Sequence, residues 1–269
     1  MGTFAEKVVV VTGGAYGIGR GTAVAFAKEG ASVTIADIND KVGHDTVAEI
    51  NQLGSKGIFI HADVSKTSEC DKVVSETSET FGGIDILFNN VGIQPLNSYL
   101  NVENTSEALW DRILNVNLKS CFLMSRQVIP EIRKRGGGVI INTASVQGLQ
   151  SQKLVPAYAA SKGGILSLTR QMALDYASEN IRVVAVNPGI IDTHLVRTVA
   201  SNEPGDSDEL IQKWGQKHPV GRIGTPDDIA NVVLFLASDK ASFITGEHVN
   251  VDGGLMAVGA WSTAAGANS

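Results

Sequence analysis

Cysteine is scarce in this chain, whose 269 residues include only Cys70 and Cys121. Neither lies in a cluster of cysteines, so the sequence contains no disulfide framework and no cysteine-based metal site. The histidines are scattered, without the spacing of metal ligands. We therefore predict two buried free thiols, a reducing compartment and no metal.

Long apolar runs and basic runs are also absent. No segment reaches the roughly 20 apolar residues that cross a bilayer, and the formal net charge is −6. A negative surface disfavours nucleic acids and anionic membranes as partners. The first residues lead directly into a predicted strand, which leaves no room for a secretory signal. We expect a soluble, cytoplasmic protein.

The chain does contain a regular alternation of short apolar runs and longer amphipathic stretches. Near-continuous apolar runs are typical of parallel strands that are buried on both faces. The predicted strands are 8–12, 32–36, 57–61, 84–88, 138–142, 182–187 and 248–251. The predicted helices are 18–29, 40–53, 67–81, 106–135, 156–179 and 226–238. This order predicts an α/β fold with a doubly wound parallel sheet of about seven strands.

No repeat and no linker divides the sequence. We predict a single domain over residues 1–269, with a core at 7–255 and a C-terminal tail at 256–269. The polar segment 200–208 is predicted to be a surface loop that serves as a lid. The residues from Thr225 onward, followed by proline and two aspartates, predict the start of the last helix.

A glycine-rich turn follows the first strand and opens the first helix. Gly13, Gly17 and Gly19 have the spacing Gly-x-x-x-Gly-x-Gly, with Tyr16 and Ile18 between them. At such a junction the backbone N–H groups and the helix N-terminus approach a pyrophosphate. We predict a Rossmann fold that binds a dinucleotide at this turn.

Asp37 closes the second strand. A carboxylate there accepts hydrogen bonds from the adenosine ribose hydroxyls and repels a 2′-phosphate. Its neighbours Tyr16 and Ile38 supply no basic group to offset that repulsion. The predicted cofactor is therefore NAD rather than NADP. Further cofactor contacts are expected where the third and fourth strands end, at Asp63, Val64, Asn90 and Gly92.

Tyr158 and Lys162 are four residues apart in a predicted helix, so both lie on one face. An ammonium there stabilises a phenolate and lowers the tyrosine pKa from about 10 toward neutral pH. A tyrosine with such a pKa exchanges a proton with an alcohol or carbonyl oxygen. The pair predicts general acid/base chemistry.

Taken in order, these motifs resemble those of the short-chain dehydrogenase/reductase family over residues 7–255. The matching residues are Thr12, Gly13, Gly17, Gly19, Asp63, Asn89, Asn90, Gly92, Asn117, Ser145, Tyr158, Lys162, Asn187, Pro188, Gly189, Thr193 and the closing segment from Val251 to Gly254. One departure is Val91, where the family usually has alanine; both are small and apolar.

The resemblance implies NAD-dependent interconversion of a secondary alcohol and a ketone. Tyr158 is expected to be the general acid/base, and Lys162 to lower its pKa and bind the nicotinamide ribose. Ser145 is expected to hold the substrate oxygen, and Asn117 to support a proton-relay water. The remaining cofactor contacts that it implies are Pro188, Gly189, Ile191 and Thr193.

Position along the chain indicates which side chains face the small-molecule substrate. The candidates are Gln94, Gln147, Gln152, His194 and Arg197. Because several of them donate hydrogen bonds, they favour a small hydroxylated substrate such as a polyol, a sugar or a cyclic diol. The sequence leaves the exact substrate, its stereochemistry and the physiological direction open.

Alternative functions remain open. Asp37 disfavours an NADPH-dependent carbonyl reductase. The complete set of Asn117, Ser145, Tyr158 and Lys162 disfavours a non-catalytic NAD-binding sensor. An enoyl reductase would need a longer spacing between tyrosine and lysine.

We also predict a homotetramer with two-fold axes, in which the helices at 106–135 and 156–179 pair between subunits. The resemblance implies this assembly. Composition supports it, because the second helix carries more apolar residues than one side of a sheet can cover. Those residues are Ile165, Leu166, Leu168, Met172, Leu174 and Tyr176.

Overall fold

The computed structural model describes residues 2–259 of the chain. Its sheet has seven parallel strands in the order β3-β2-β1-β4-β5-β6-β7. The strands are β1 (Val8–Thr12), β2 (Ser32–Asp37), β3 (Gly57–His61), β4 (Ile86–Asn89), β5 (Gly138–Thr143), β6 (Ile181–Pro188) and β7 (His248–Val251). The predicted single-domain α/β fold is confirmed. Met1 and residues 260–269, which include most of the predicted tail, lie outside the described residues.

Helices cover both faces of the sheet. They are α1 (Gly17–Lys28), α2 (Asp40–Gln52), α3 (Thr67–Phe81), α4 (Glu107–Leu114), α5 (Ser120–Lys134), α6 (Pro156–Tyr176), α7 (His194–Asn202), α8 (Ser207–Gly215) and α9 (Pro226–Ala237). The predicted start of α9 is confirmed by a capping box, in which Thr225 and Asp228 each bond the other's backbone N–H. Among residues 2–259, no helix combines the length and apolar character needed to span a bilayer.

The core lies in two layers, because successive residues of a strand point to opposite faces. In β1, Val9 and Val11 pack with Phe26 of α1 and Val233 of α9 on one face. Val10 points to the other face, toward the layer that contains α3, α5 and α6. Burial on both faces is therefore confirmed for the inner strands such as β1 and β4, whereas the edge strands β3 and β7 are largely half-buried. Cys70 and Cys121 are free and buried, as predicted.

The long predicted helix at 106–135 contains an irregular turn. Between α4 and α5 lies a π-helical segment, Asn115–Lys119, which includes the fully buried Asn117. One wider turn shifts the register of side chains along a helix. Hydrophobic periodicity does not reveal such a shift, because the flanking helices keep their own apolar faces.

The prediction of a loop at 200–208 is wrong in most of its length. Residues 200–202 end α7 and residues 207–208 begin α8, so the connection is 203–206. The Asp206 side chain accepts hydrogen bonds from the backbone N–H groups of Asp208 and Glu209. Such an aspartate is a strong N-cap, and it starts a helix within a segment whose polarity predicted a loop.

The apolar residues of α6 are distributed differently from the prediction. Ile165, Leu166 and Met172 are buried within the chain itself. Leu174 is 79% exposed, and on the neighbouring helix α5 Phe122 is 46% exposed. The apolar surface left for a partner is therefore smaller than the composition of α6 alone indicates.

Candidate active site

The glycine-rich segment that opens α1 leaves no room for a side chain at Gly19 and strains one at Gly17. A Cβ atom on Gly19 would overlap the Gly13 carbonyl oxygen. Gly17 has a φ of +51°, and a Cβ there would lie 3.0 Å from Thr193 Cγ2. The backbone of this turn is consequently bare and close to the start of α7, as a phosphate-binding turn requires.

Asp37 connects the end of β2 with the glycine turn. Its carboxylate accepts hydrogen bonds from the N–H groups of Ala15 and Asn39, both at 3.0 Å. The Asn39 side chain in turn donates to the Tyr16 hydroxyl at 3.1 Å. Asp37, Tyr16 and the exposed Ile38 all lie in the wall of one cleft. The carboxylate is held in place at the site predicted for the adenosine ribose.

Asn90 fixes the other side of the same turn. Its side-chain amide donates to the carbonyl oxygens of Thr12 and Gly13 at 3.2 and 3.1 Å. Its backbone N–H donates to the Thr12 hydroxyl at 3.0 Å. A side chain at the end of β4 thereby orients the backbone that would face a pyrophosphate.

These elements enclose a cleft of about 880 Å³, within the size range of cofactor sites. Its wall contains nearly all the predicted cofactor residues: Gly13, Tyr16, Gly17, Ile18, Asp37, Ile38, Asp63, Val64, Asn90, Gly92, Tyr158, Lys162, Pro188, Gly189, Ile191 and Thr193. Ser145 lies in the wall as well. Gly19 and Asn117 do not; both are buried behind it. The bare turn and the fixed carboxylate fit a dinucleotide.

Lys162 is 2% exposed and donates a hydrogen bond to the Thr143 carbonyl oxygen at 2.7 Å. Its Nζ lies 5.6 Å from the centroid of the Tyr158 ring. Burial lowers the pKa of Lys162 to about 8. Burial raises the pKa of Tyr158 to about 12, against the lowering effect of its hydrogen bond with the Ser145 side chain.

The expectation that Lys162 pulls the Tyr158 pKa below 10 is therefore not met in this structure. The physical reason is desolvation, which disfavours the charged form of both groups at once. The lysine also directs its ammonium toward a backbone carbonyl. Both side chains are thus biased toward their neutral forms.

Asn117 uses its side chain to join two elements. Its Oδ1 accepts from the Ile93 N–H at 2.7 Å, and its Nδ2 donates to the Ile93 carbonyl oxygen and the Ser161 hydroxyl, both at 3.1 Å. Ser161 donates to the Tyr158 carbonyl oxygen at 2.7 Å. The loop after β4 is in this way tied to α6 beside the tyrosine. The predicted water-relay role of Asn117 stays a prediction.

The predicted substrate residues are dispersed. His194 lines the cleft but stacks on Tyr16, with ring centroids 5.7 Å apart and an angle of 22°. Arg197 pairs with the Asp192 carboxylate through two hydrogen bonds of 2.7 Å. Gln94 is buried, and the Gln147 side chain accepts from the Gln152 N–H at 3.4 Å. Among the residues that the structure describes, the three glutamines and Arg197 do not line the cleft.

Sequence reasoning missed several cleft residues on helices. They are Arg112, Asn115, Val116, Val196 and Thr198. Asn115 and Val116 lie in the π-helical segment, which periodicity does not predict, and Arg112 lies just before it in α4. The others lie in α7, whose N-cap is Thr193, with its hydroxyl accepting from the Val196 N–H at 3.4 Å. The Thr193 cap was the available signal for that helix.

The chain matches a known family in both sequence and fold. A sequence model described as enoyl-(acyl carrier protein) reductase matches residues 13–256. A solved structure from Burkholderia xenovorans, described as a short-chain dehydrogenase/reductase, superposes with a TM-score of 0.91 and 35% identity, covering 96% of this chain and all of the other. The chain belongs to the short-chain dehydrogenase/reductase family. It is therefore an oxidoreductase of a family that binds a nicotinamide cofactor.

Two relatives within the family carry specific names. Cyclopentanol dehydrogenase of Comamonas sp. is 39% identical over 261 residues, which cover 96% of this chain and all of that protein. Cyclohexanol dehydrogenase of Acinetobacter sp. is 38% identical over 250 residues, 93% of this chain and 95% of that protein. This short-chain dehydrogenase/reductase thus has relatives that are cyclic alcohol dehydrogenases.

Burial of Lys162 has a measurable cost. Its pKa is about 8 in the folded chain and 10.5 in a model peptide. Between these pH values this lysine binds more protons in the unfolded state, so its contribution to wild-type stability rises with pH. Lys162→Met removes this dependence. We expect the variant's free energy of unfolding, relative to wild type, to fall by on the order of 3 kcal/mol from pH 8 to pH 10.5.

Urea unfolding at several pH values measures this difference. Loss of the hydrogen bond to Thr143 changes the free energy of unfolding by an amount that does not depend on pH. The informative quantity is therefore the slope, against pH, of the difference in free energy of unfolding between variant and wild type. The matched control is Lys66→Met, since hydrogen bonds to Glu69 and Asp63 raise the pKa of that exposed lysine. The difference in free energy of unfolding between Lys66→Met and wild type should stay constant from pH 8 to 10. A flat profile for Lys162→Met as well would contradict the assignment.

Proposed function

We propose that this protein is an NAD-dependent dehydrogenase that interconverts a small cyclic secondary alcohol and its ketone. The observation that carries the proposal is the cleft itself. It has a fixed carboxylate, Asp37, in its wall together with Ser145, Tyr158 and Lys162. A dinucleotide site that continues into an acid/base site is what hydride transfer to or from an alcohol carbon requires.

Ser145 and Tyr158 would hold the alcohol oxygen. The Ser145 Oγ already accepts the Gln147 N–H at 3.2 Å, which leaves its proton to be donated. Tyr158 accepts the alcohol proton in oxidation and returns it in reduction. NAD, when bound, supplies the hydride acceptor and a positively charged ring. Alkaline pH favours the oxidation, because the Tyr158 pKa is raised by burial.

Asp37 supports NAD as the cofactor. Its carboxylate is anchored by Ala15 and Asn39, so it does not swing away to admit a 2′-phosphate. The adjacent wall residues Tyr16 and Ile38 are not basic. An NADPH-dependent carbonyl reductase is the alternative, and it would need a cation beside the ribose to compensate for Asp37.

The cleft wall contains the polar residues Arg112, Asn115 and Thr198 and an apolar part, and the apolar part supports a substrate with little polarity beyond its reacting oxygen. Ile93, Leu195 and Val196 are part of the wall, whereas the Arg197 guanidinium is bound to Asp192. This favours a cyclic alcohol over a polyol or sugar, and it agrees with the names of the two relatives. The four-residue spacing of Tyr158 and Lys162 disfavours enoyl reduction.

Leu174 and Phe122 support the homotetramer predicted above. They are exposed apolar side chains on α6 and α5, the two helices expected to pair between subunits. Pairing there would stiffen the helix that carries Tyr158.

Tyr158→Phe should abolish turnover while NAD still binds, because only the phenolic hydroxyl is lost. We expect kcat to fall about 10²–10⁴-fold, measured as NADH formation at alkaline pH with cyclopentanol, cyclohexanol and a hexitol. Tyr176→Phe, on the same helix but outside the cleft wall, is the control. Retention of more than a tenth of wild-type kcat by Tyr158→Phe would overturn the role of Tyr158. A wild type that binds NAD but oxidises none of these alcohols would favour the alternative of a non-catalytic NAD-binding sensor.

Cofactor preference should depend on Asp37. Wild type is expected to prefer NAD over NADP by at least about tenfold in kcat/KM, or about 1.4 kcal/mol. Asp37→Ser should reduce that ratio, and adding Ile38→Arg should reduce it further. Asp40→Ser removes the same charge from an exposed position whose partner is His61, and it should leave the ratio unchanged. Equal use of both cofactors by wild type would refute the NAD assignment.

Static light scattering should give a mass near four times 28.3 kDa. Phe122→Glu should lower that mass, because it introduces a charge into the expected helix pair. Leu53→Glu is the matched control: Leu53 is 45% exposed, against 46% for Phe122, and it lies at the end of α2. A monomeric wild type at micromolar concentration would disprove the assembly, and a stable dimer would support only one of the two-fold contacts.

A further inference from the structure

A buried histidine outside the acid/base group contacts the loop that follows β6. His218 is 2% exposed and lies just after α8. Its Nε2 accepts the Ile190 N–H at 3.2 Å, and its Nδ1 lies 3.1 Å from the Trp214 carbonyl oxygen. A Cβ on Gly189 would lie only 3.0 Å from that same Nε2. The imidazole therefore packs directly against Gly189.

The two hydrogen bonds define one state of the ring. A backbone N–H needs an acceptor and a carbonyl oxygen needs a donor, so Nδ1 carries the proton and Nε2 does not. The charged groups nearby have other partners. The Asp252 carboxylate accepts from the Gly254 and Met256 N–H groups at 3.0 and 2.8 Å. Arg222 pairs with Asp228 at 2.7 and 2.9 Å.

The segment that His218 holds is the floor of the cleft. Pro188, Gly189 and Ile191 line the cleft on either side of Ile190. Neighbouring bonds of this segment are backbone to backbone: Gly189 donates to Val251 at 3.1 Å, and Gly224 donates to the Ile190 carbonyl at 2.8 Å. The Ile190 N–H, by contrast, relies on a side chain. That side chain also connects it to Trp214 in α8.

We propose that His218 is a positioning residue, which sets the Pro188–Gly189–Ile190 backbone beneath the nicotinamide and couples that backbone to α8. The inference rests on the proposed function, since it requires the nicotinamide end of NAD to occupy this part of the cleft. It predicts that loss of the Ile190 bond weakens binding of the nicotinamide half of the cofactor. The adenosine half, held at the glycine turn and Asp37, is unaffected.

Two substitutions each keep one of the two hydrogen bonds of the ring and remove the other. His218→Gln keeps a side-chain oxygen near the position of Nε2 and can still accept the Ile190 N–H. His218→Asn retains a group near Nδ1 for Trp214 but does not reach Ile190. His44→Phe, a substitution of an exposed histidine on α2 that packs on Phe59, controls for general effects of replacing histidine.

Calorimetry with NAD and with ADP-ribose provides the readout. We expect His218→Asn to weaken NAD about three- to tenfold and ADP-ribose less than twofold, the range of one lost hydrogen bond. His218→Gln should stay near wild type for both ligands, and kcat/KM for NAD should follow the NAD affinity. Equal weakening of both ligands, or no weakening of NAD in His218→Asn, would overturn the positioning role.

The rate of amide hydrogen exchange in the wild-type protein tests the Ile190 hydrogen bond even if a variant does not fold. The Ile190 amide should exchange as slowly as those of Gly189 and Asp192; exchange at the rate of an exposed amide would refute the bond.

The outcomes also separate the two proposals. If wild type binds neither NAD nor ADP-ribose, the proposed function fails. If it binds both and the variants do not distinguish them, only the role of His218 fails.

Discussion

All seven strands run in the same direction, and this constraint determines where the site lies. The carboxyl ends of parallel strands meet at one edge of the sheet, and the loops that leave them form one surface. Asp37, Asn89 and Pro188 are the last residues of β2, β4 and β6. The strand order reverses between β1 and β4, so crossovers leave that point in opposite directions and open the cleft. Residues far apart in the sequence become neighbours for this reason.

Burial within that cleft raises the pKa of Tyr158 and lowers the pKa of Lys162. It makes the ammonium of Lys162 and the phenolate of Tyr158 costly to form, because neither charge is solvated. Burial therefore favours a neutral phenol at Tyr158 and lowers the pKa of Lys162 to about 8. The cost of keeping a lysine there is a loss of stability that the fold must offset elsewhere. This is the usual relation between a functional site and its supporting structure.

Polar side chains hold the backbone around the cleft. Asn90 bonds the glycine turn, Asn117 bonds the loop at Ile93, and His218 bonds the loop at Ile190. Each lies on a different element from the loop that it holds. A loop contains few backbone partners of its own, and buried N–H groups must be paired. Side chains from neighbouring elements satisfy them, and the loops become rigid enough to orient a ligand.

The sequence by itself determined the α/β class, the order of the strands and most of the cleft wall. Apolar runs define parallel strands, and residues directly after such strands must lie at the same edge. The Gly13–Gly19 spacing, Asp37 and the Tyr158–Lys162 spacing are local patterns, so they were readable without the fold. Tertiary structure alone decided the rest. The pKa values of Tyr158 and Lys162 depend on desolvation by distant segments, so their spacing predicted the wrong direction for the tyrosine. The partners of Arg197, His194 and His218 also depend on which loops meet in space, and a linear pattern does not contain that information.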